Sequence, residues 1–72
     1  MTTATIVIKA PCRVSAELEA KYRNINARAT SFNQDFGHAV LTAYDWPEHA
    51  LHDWLGEEDS NMMHFTLHDG DK

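Results

Sequence analysis

The sequence predicts an α+β domain, because four segments have the residue pattern of strands and two have that of helices. The strand-like segments alternate apolar and polar residues, and the helix-like segments carry apolar residues at three- and four-residue spacing. Proline, asparagine and glycine separate these segments. A chain of 72 residues is short for more than one hydrophobic core, so we expect one domain over residues 1–72.

The first strand and the first helix are predicted in the N-terminal third of the chain. Residues 4–9 are β-branched and alternating, with Ile6 and Ile8 on one side, and Pro11 ends the strand. Ser15 has the side chain of a helix N-cap. The helix that follows is expected to bury an apolar stripe made of Val14, Leu18, Tyr22 and Ile25.

The end of the first helix decides the number of strands. Asn24 is a poor helix residue, so we end the helix there and predict a strand over residues 25–32. A five-residue loop over residues 33–37 would then lead into a strand over residues 38–44. If the helix instead continued to Ala29, this first hairpin strand would be lost and a three-stranded βαβαβ layout would remain.

The second helix is predicted at Asp45-Trp46-Pro47-Glu48, which combines a capping residue, a proline in the first turn and a later glutamate. Gly56 supplies its stop, and the polar stretch 57–61 is a loop. A last strand over residues 62–68 is expected to direct Met63, Phe65 and Leu67 to one face. Residues 69–72 are predicted to be a flexible tail.

The order βαββαβ is the ferredoxin-like arrangement, in which two helices cover one face of a four-stranded antiparallel sheet. Its other face stays open. In the predicted register the open face carries Thr5, Val7, Val40, Thr42, Tyr44, Met62, His64, Thr66 and His68.

Charge and composition limit the kinds of partner. Six basic against eleven acidic residues give a net charge of −5, and no basic cluster is present that could neutralise a row of phosphates. We therefore expect no direct binding to nucleic acid and favour another protein with a basic surface. No apolar run is long enough to span a bilayer, and the single cysteine fits a reducing compartment, so a cytoplasmic location is expected.

The residues that carry chemistry do not form a catalytic pattern. No Ser or Cys nucleophile has a recognisable His and acid, and no glycine-rich loop could hold a phosphate, so we expect neither an enzyme nor a cofactor. The segment Cys12-Arg13-Val14-Ser15 resembles a degenerate form of the Cys-x-x-Cys pair of heavy-metal-associated domains, with Ser15 in place of the second thiolate. We predict no metal site, and the weak candidates for one are His38, His64 and His68.

Function is therefore expected on the surface. We predict a non-enzymatic protein-binding module, an inhibitor or adaptor that blocks a basic nucleic-acid-handling partner in the manner of phage or mobile-element anti-CRISPR proteins. Contacts are expected from Phe36, Tyr44, Trp46, Glu57, Glu58, Asp59, Met62 and His64. The alternatives are that Trp46 covers the entrance to the second helix and that Phe36 folds back onto the core. A homodimer through the open sheet face is also compatible with the pattern. The alternative is a histidine-based metal- or small-ligand-binding regulatory module that could itself be dimeric.

Overall fold

A computed structural model describes residues 3–68, and the predicted tail at 69–72 lies outside this range. The elements are β1 (Thr3–Lys9), α1 (Arg13–Tyr22), β2 (Asn26–Asn33), β3 (His38–Tyr44), α2 (Glu48–Leu55) and β4 (Met62–His68). The strands form one antiparallel sheet in the order β2-β3-β1-β4. The predicted ferredoxin-like βαββαβ fold is confirmed, and the three-stranded alternative is wrong because β2 is present.

The first helix ends at Tyr22, near Asn24 as the sequence predicted. Asn24 has a φ of 62°, in the left-handed region that asparagine tolerates better than most residues. Its N–H donates to the Lys21 carbonyl at 2.9 Å, and the Ile25 N–H donates to the Ala20 carbonyl at 2.9 Å. These two bonds are a Schellman motif, which satisfies carbonyls that the helix end would otherwise leave unpaired. The chain is thereby redirected into β2.

The β2–β3 hairpin is closed by a loop with its own hydrogen bonds. The Asn33 side-chain oxygen accepts from the N–H groups of Asp35 and Phe36, at 2.9 and 3.1 Å. Gly37, with a φ of 69°, donates its N–H to the Asn33 carbonyl at 2.8 Å. A residue with a Cβ would be strained at that φ, so the glycine is required by the turn.

The predicted N-caps of both helices are wrong by about one turn or less. The cap of α1 is Cys12, not Ser15, and the cap of α2 is Pro47; neither residue makes a side-chain capping bond. Asp45 has a φ of 56° and lies in the turn before α2, too early to cap it. Extended backbone at Cys12 and Pro47 decides where each helix begins.

The core divides into a small-residue half and a large-residue half. Ala16 and Ala20 are the fully buried residues of α1, and alanines of β2 and β3 lie in the same cluster. Under α2 the core is instead built from bulky side chains, with Leu51 and Trp54 fully buried or nearly so. The predicted buried stripe of α1 is therefore wrong in all but Ile25. Alanine on alanine lets α1 lie close to the sheet, and its larger apolar residues are turned outward.

A β-bulge at the start of β4 changes which face of the sheet its first side chains lie on. The register between β1 and β4 shifts between Val7 and Ile8, so that Ile8 is opposite Met62 and Val7 is opposite His64. The extra residue, Met63, is exposed, and Met62 is only 5% exposed on the core side. The prediction that Met62 lies on the open face is wrong, because a bulge inserts one residue and reverses the alternation.

Neither helix within residues 3–68 has the length and the apolar character that crossing a membrane would require.

Candidate functional site

The most unusual surface of the molecule is the outer side of α1. Val14 is 63% exposed, Leu18 58% and Tyr22 85%, and these three residues follow one another at four-residue spacing. We call them the α1 stripe. Single exposed apolar residues are ordinary on a protein surface, whereas a contiguous row on one helix is typical of an interaction surface. The stripe is made of the residues that the sequence predicted to be buried.

A groove of about 910 Å³ runs beside the α1 stripe, between α1 and β2. The outer edge of β2 is partly closed there, because the Ala29 N–H donates to Glu17 Oε2 at 2.8 Å. The Ala29 N–H group is therefore not free to pair with another strand. It is lined by Val14, Glu17, Leu18, Lys21, Asn24, Ile25, Asn26, Ala27, Arg28 and Tyr44.

Arg23, just after α1, connects the acidic loop 57–59 to the helix. Its guanidinium pairs with Glu57 and lies 3.5 Å from Glu19. The same group lies over the Trp54 ring, 4.7 Å from its centroid, a favourable cation–π position. The hydrogen bond from Arg23 lowers the pKa of the Glu57 carboxyl, and the same bond raises the pKa of Arg23. The loop that carries Glu57, Glu58 and Asp59 is thus held against the end of α1.

Charge is separated between the two sides of the sheet. Within residues 3–68 no strand contains an aspartate or a glutamate, and all nine carboxylates lie on helices, turns or loops. The open sheet face carries Lys9 and Arg28, together with three histidines. The helical side is therefore acidic, and the open face is neutral to basic.

The open-face histidines do not form a cluster. His68 Nε2 is hydrogen-bonded to Thr5 Oγ1 at 2.8 Å, and His64 Nε2 to Thr66 Oγ1 at 3.0 Å. His38 lies on β3, opposite Lys9 of β1. Across residues 3–68 no three His, Cys, Asp or Glu side chains are grouped so that they could hold a metal ion.

The aromatic residues predicted as contacts divide into exposed and buried ones. Phe36 is 74% exposed at the hairpin tip, stacked on His38 with ring centroids 5.7 Å apart. Tyr44 is partly exposed at the groove. Trp46 is only 7% exposed, and the prediction that it lies on the surface as a contact is wrong. The turn at Asp45 and the extended Pro47 place its indole in the core.

Cys12 is exposed at the N-terminus of α1. Its Sγ and the Ser15 Oγ are hydrogen-bonded at 3.4 Å, and this bond, followed by the one to the Ser15 backbone, lowers the pKa of the thiol. The hydrogen bonds to Ser15 therefore stabilise the thiolate form of Cys12.

Sequence reasoning missed the α1 stripe and the groove. It placed the acidic loop, Phe36, Tyr44 and His64 on the surface, and all of these are exposed. The missed signal was the pair Ala16 and Ala20, which forms a second apolar row at the same spacing as the larger residues. A row of alanines above an alanine-rich strand such as β2 is a cue for close helix packing.

No protein family, curated protein or solved structure matches the chain. Function is therefore inferred from the surfaces of the molecule itself.

Proposed function

We propose that the chain is a non-enzymatic protein-binding module, an inhibitor or adaptor that docks the α1 stripe and the adjoining groove on a larger partner. The observation that carries this proposal is the outward direction of Val14, Leu18 and Tyr22 on a helix that buries only alanines. Moving a large apolar side chain out of water is worth about 1.5–3 kcal/mol when burial is complete. Folding leaves these side chains in water, so a partner that covers the stripe would gain this free energy on binding.

The charge around the stripe indicates the chemistry of the partner. Glu17 and Glu19 on α1 are balanced by Arg13 and Lys21 on the same helix. The Arg23–Glu57 contact places the acidic 57–59 loop at the C-terminal end of α1, which makes that end acidic. A basic surface complements these carboxylates and would be attracted over distances limited by salt. Complexes that handle nucleic acid have such surfaces, and an acidic module would compete there with the phosphate backbone.

The open sheet face is less suited to the same partner. No strand within residues 3–68 supplies it with a carboxylate, and it carries Lys9, which a basic surface would repel. Arg28 lies where this face meets the groove. We therefore assign the contact to the helical side, with Phe36 and His64 outside its centre.

The test is capture of the partner from a lysate of the native host, followed by affinity measurements on the purified pair. The decisive variant is Leu18→Ala with Tyr22→Ala, because both side chains are exposed and their loss should leave the fold intact. Truncating a central aromatic anchor commonly costs about 2 kcal/mol or more, so we expect Kd to rise about 30-fold. The matched control is Phe36→Ala, an exposed aromatic residue away from α1, which should change Kd little.

Two outcomes would contradict the proposal. One is that no stoichiometric partner is recovered at low or at physiological salt. The other is that Phe36→Ala weakens binding as much as the stripe variant does. In the same assay, Glu58→Lys with Asp59→Lys should slow association and flatten its salt dependence, whereas unchanged kinetics would mean that these carboxylates do not steer the encounter.

A further inference from the structure

The two edges of the sheet are protected differently. On β2, Glu17 reaches across and accepts a hydrogen bond from the outward Ala29 N–H. Over residues 3–68, β4 has a strand neighbour on one side only, which is β1. From Met62 to His68 it contains no Lys, Arg, Asp, Glu or Pro, the residues that natural proteins place on edges to prevent pairing. Beyond the bulge at its start, β4 is an edge open to another strand.

The register shows which backbone groups of β4 are unpaired. The Lys9 N–H donates to the Asn61 carbonyl at 2.8 Å, so the odd-numbered residues of β1 direct their backbone groups toward β4. Their partners on β4 are even-numbered. Phe65 and Leu67 therefore point their N–H and C=O groups away from the sheet, at the spacing of an antiparallel ladder.

The end of β4 reads nearly the same in both directions, as His64-Phe65-Thr66-Leu67-His68. We propose that two copies of the chain pair antiparallel through β4, with the twofold axis at Thr66, to form one continuous sheet. Phe65 of each copy would exchange both backbone hydrogen bonds with the partner's Leu67, because these are the outward groups. A twofold interface requires a self-complementary surface, and this segment has that property.

The side chains on the helical side of β4 support the same register. Phe65 and Leu67 face the core layer but remain partly exposed, since α2 is only eight residues long. The Phe65 and His52 rings form a T-shaped pair, with 5.0 Å between their centroids. In the pair, Phe65 lies against the partner's Leu67, an aromatic–aliphatic cross-strand contact of the kind that stabilises sheets.

On the open face, the same register places His64 opposite the partner's His68. Neutral imidazoles tolerate this arrangement, but protonated ones are like charges directly opposite each other. The charged side chains on that face are Lys9 and Arg28, with His38 also present, and no strand within residues 3–68 supplies a carboxylate. On the helical side, His52 lies 3.5 Å from Glu48.

This dimer is independent of the proposed contact with a partner protein. The α1 helix packs over β2 and β3, whereas β4 lies at the far edge of the sheet. Both α1 stripes stay accessible in the pair. Loss of the dimer and loss of partner binding can therefore be measured separately.

Cross-linking tests the register directly. Facing residues of a non-hydrogen-bonded antiparallel pair have Cα atoms about 4.5 Å apart, within the range that a disulfide spans. Thr66→Cys in a Cys12→Ser background should form an intermolecular disulfide under mild oxidation, at least about tenfold faster than Ser31→Cys in the same background. Ser31 is the matched control, because it is exposed on the same face but lies on β2. Equal rates for the two variants would overturn the proposal.

Sedimentation measures the dimer without a covalent bond. The chain has a mass of 8.2 kDa, and we expect a species of twice that mass that dissociates on dilution. Thr66→Lys, which sets two ammonium groups opposite each other at the axis, should raise the dissociation constant at least about tenfold. Ser31→Lys should leave it unchanged. A wild-type chain that stays monomeric up to its solubility limit, or a Thr66→Lys variant that still dimerises, would refute the pairing.

Discussion

Asn24 and Asp45 are the non-glycine residues within residues 3–68 whose backbone lies in the left-handed region, with φ values of 62° and 56°. Each stands at an element boundary, between α1 and β2 or between β3 and α2. Asparagine and aspartate tolerate this conformation because their short polar side chains bond locally. The topology thus depends on two individual residues that redirect the chain.

Asn24 gives the first test at this scale. Asn24→Ala should lower the free energy of unfolding by about 1 kcal/mol, because a Cβ without a polar group is disfavoured in the left-handed region. Asn24→Gly should retain stability, since glycine adopts this φ without strain. Urea denaturation measures both. Asn26→Ala, exposed in β2, is the control and should change stability by less than about 0.5 kcal/mol; an equal loss there would remove the conformational explanation.

The Arg23–Glu57 pair predicts a pH dependence of stability. The bond to Arg23 holds the pKa of Glu57 below its usual range in the folded protein, so the pair stabilises the fold at neutral pH. This contribution is lost as the pH falls through the folded pKa. Glu57→Gln should therefore be less stable than the wild type at neutral pH, and the difference should vanish in acid.

Thermal unfolding across a pH series measures this difference. Glu58→Gln is the control, because the causes of the lowered pKa of Glu57 and the raised pKa of Arg23 do not include Glu58. A deficit of Glu57→Gln that persisted in strong acid would show that packing, not charge, is what the substitution removes.

At the scale of elements, α1 reverses the usual relation between size and burial. Its alanines lie on the sheet, and its largest apolar residues face water. Both rows have the four-residue spacing of a helix face, so periodicity alone cannot distinguish them. The distinction comes from β2 and β3, whose alanines lie in the same cluster as Ala16 and Ala20, so that small side chains on both layers let the helix approach the sheet closely.

Ala20→Leu and Leu18→Ala test this reversal as a pair. Ala20→Leu should destabilise the protein by about 1–3 kcal/mol, because a larger side chain does not fit between α1 and the sheet. Leu18→Ala should change stability by less than about 0.5 kcal/mol, since Leu18 is exposed and alanine is a better helix former. Guanidinium denaturation measures the free energy of unfolding of both variants. The reverse ranking would show that the larger residues form the buried row.

The hairpin and the β4 segment show how far the strands could be predicted. Asn33 and Gly37 are recognisable turn residues, and the predicted hairpin is confirmed within a residue at each strand end. The bulge that buries Met62 has no comparable local signal, because a single inserted residue depends on how β4 meets β1. The positions of the strands were predictable, but the face of the sheet on which the first residues of β4 lie was not.

For the whole molecule, the topology was predictable from the sequence and the proposed contact surface was not. Pro11, Asn24, Gly37 and Gly56 interrupt the pattern at the boundaries of elements, so their order could be read along the chain. The exposure of the α1 stripe depends on which of the two apolar rows of α1 packs on the sheet. The burial of Trp46 depends on the path of the chain after Asp45. Such choices are made by packing between distant segments.

The separation of carboxylates from the sheet gives the molecule an electric dipole moment directed across its two layers. In the field of the proposed basic partner this dipole would experience a torque that turns the helices toward the partner before the two touch. Fewer encounters are then lost to wrong orientations, which are the main reason that protein association is slower than diffusion. The field extends only about 8 Å at physiological salt, so the alignment takes place in the last solvent layers before contact.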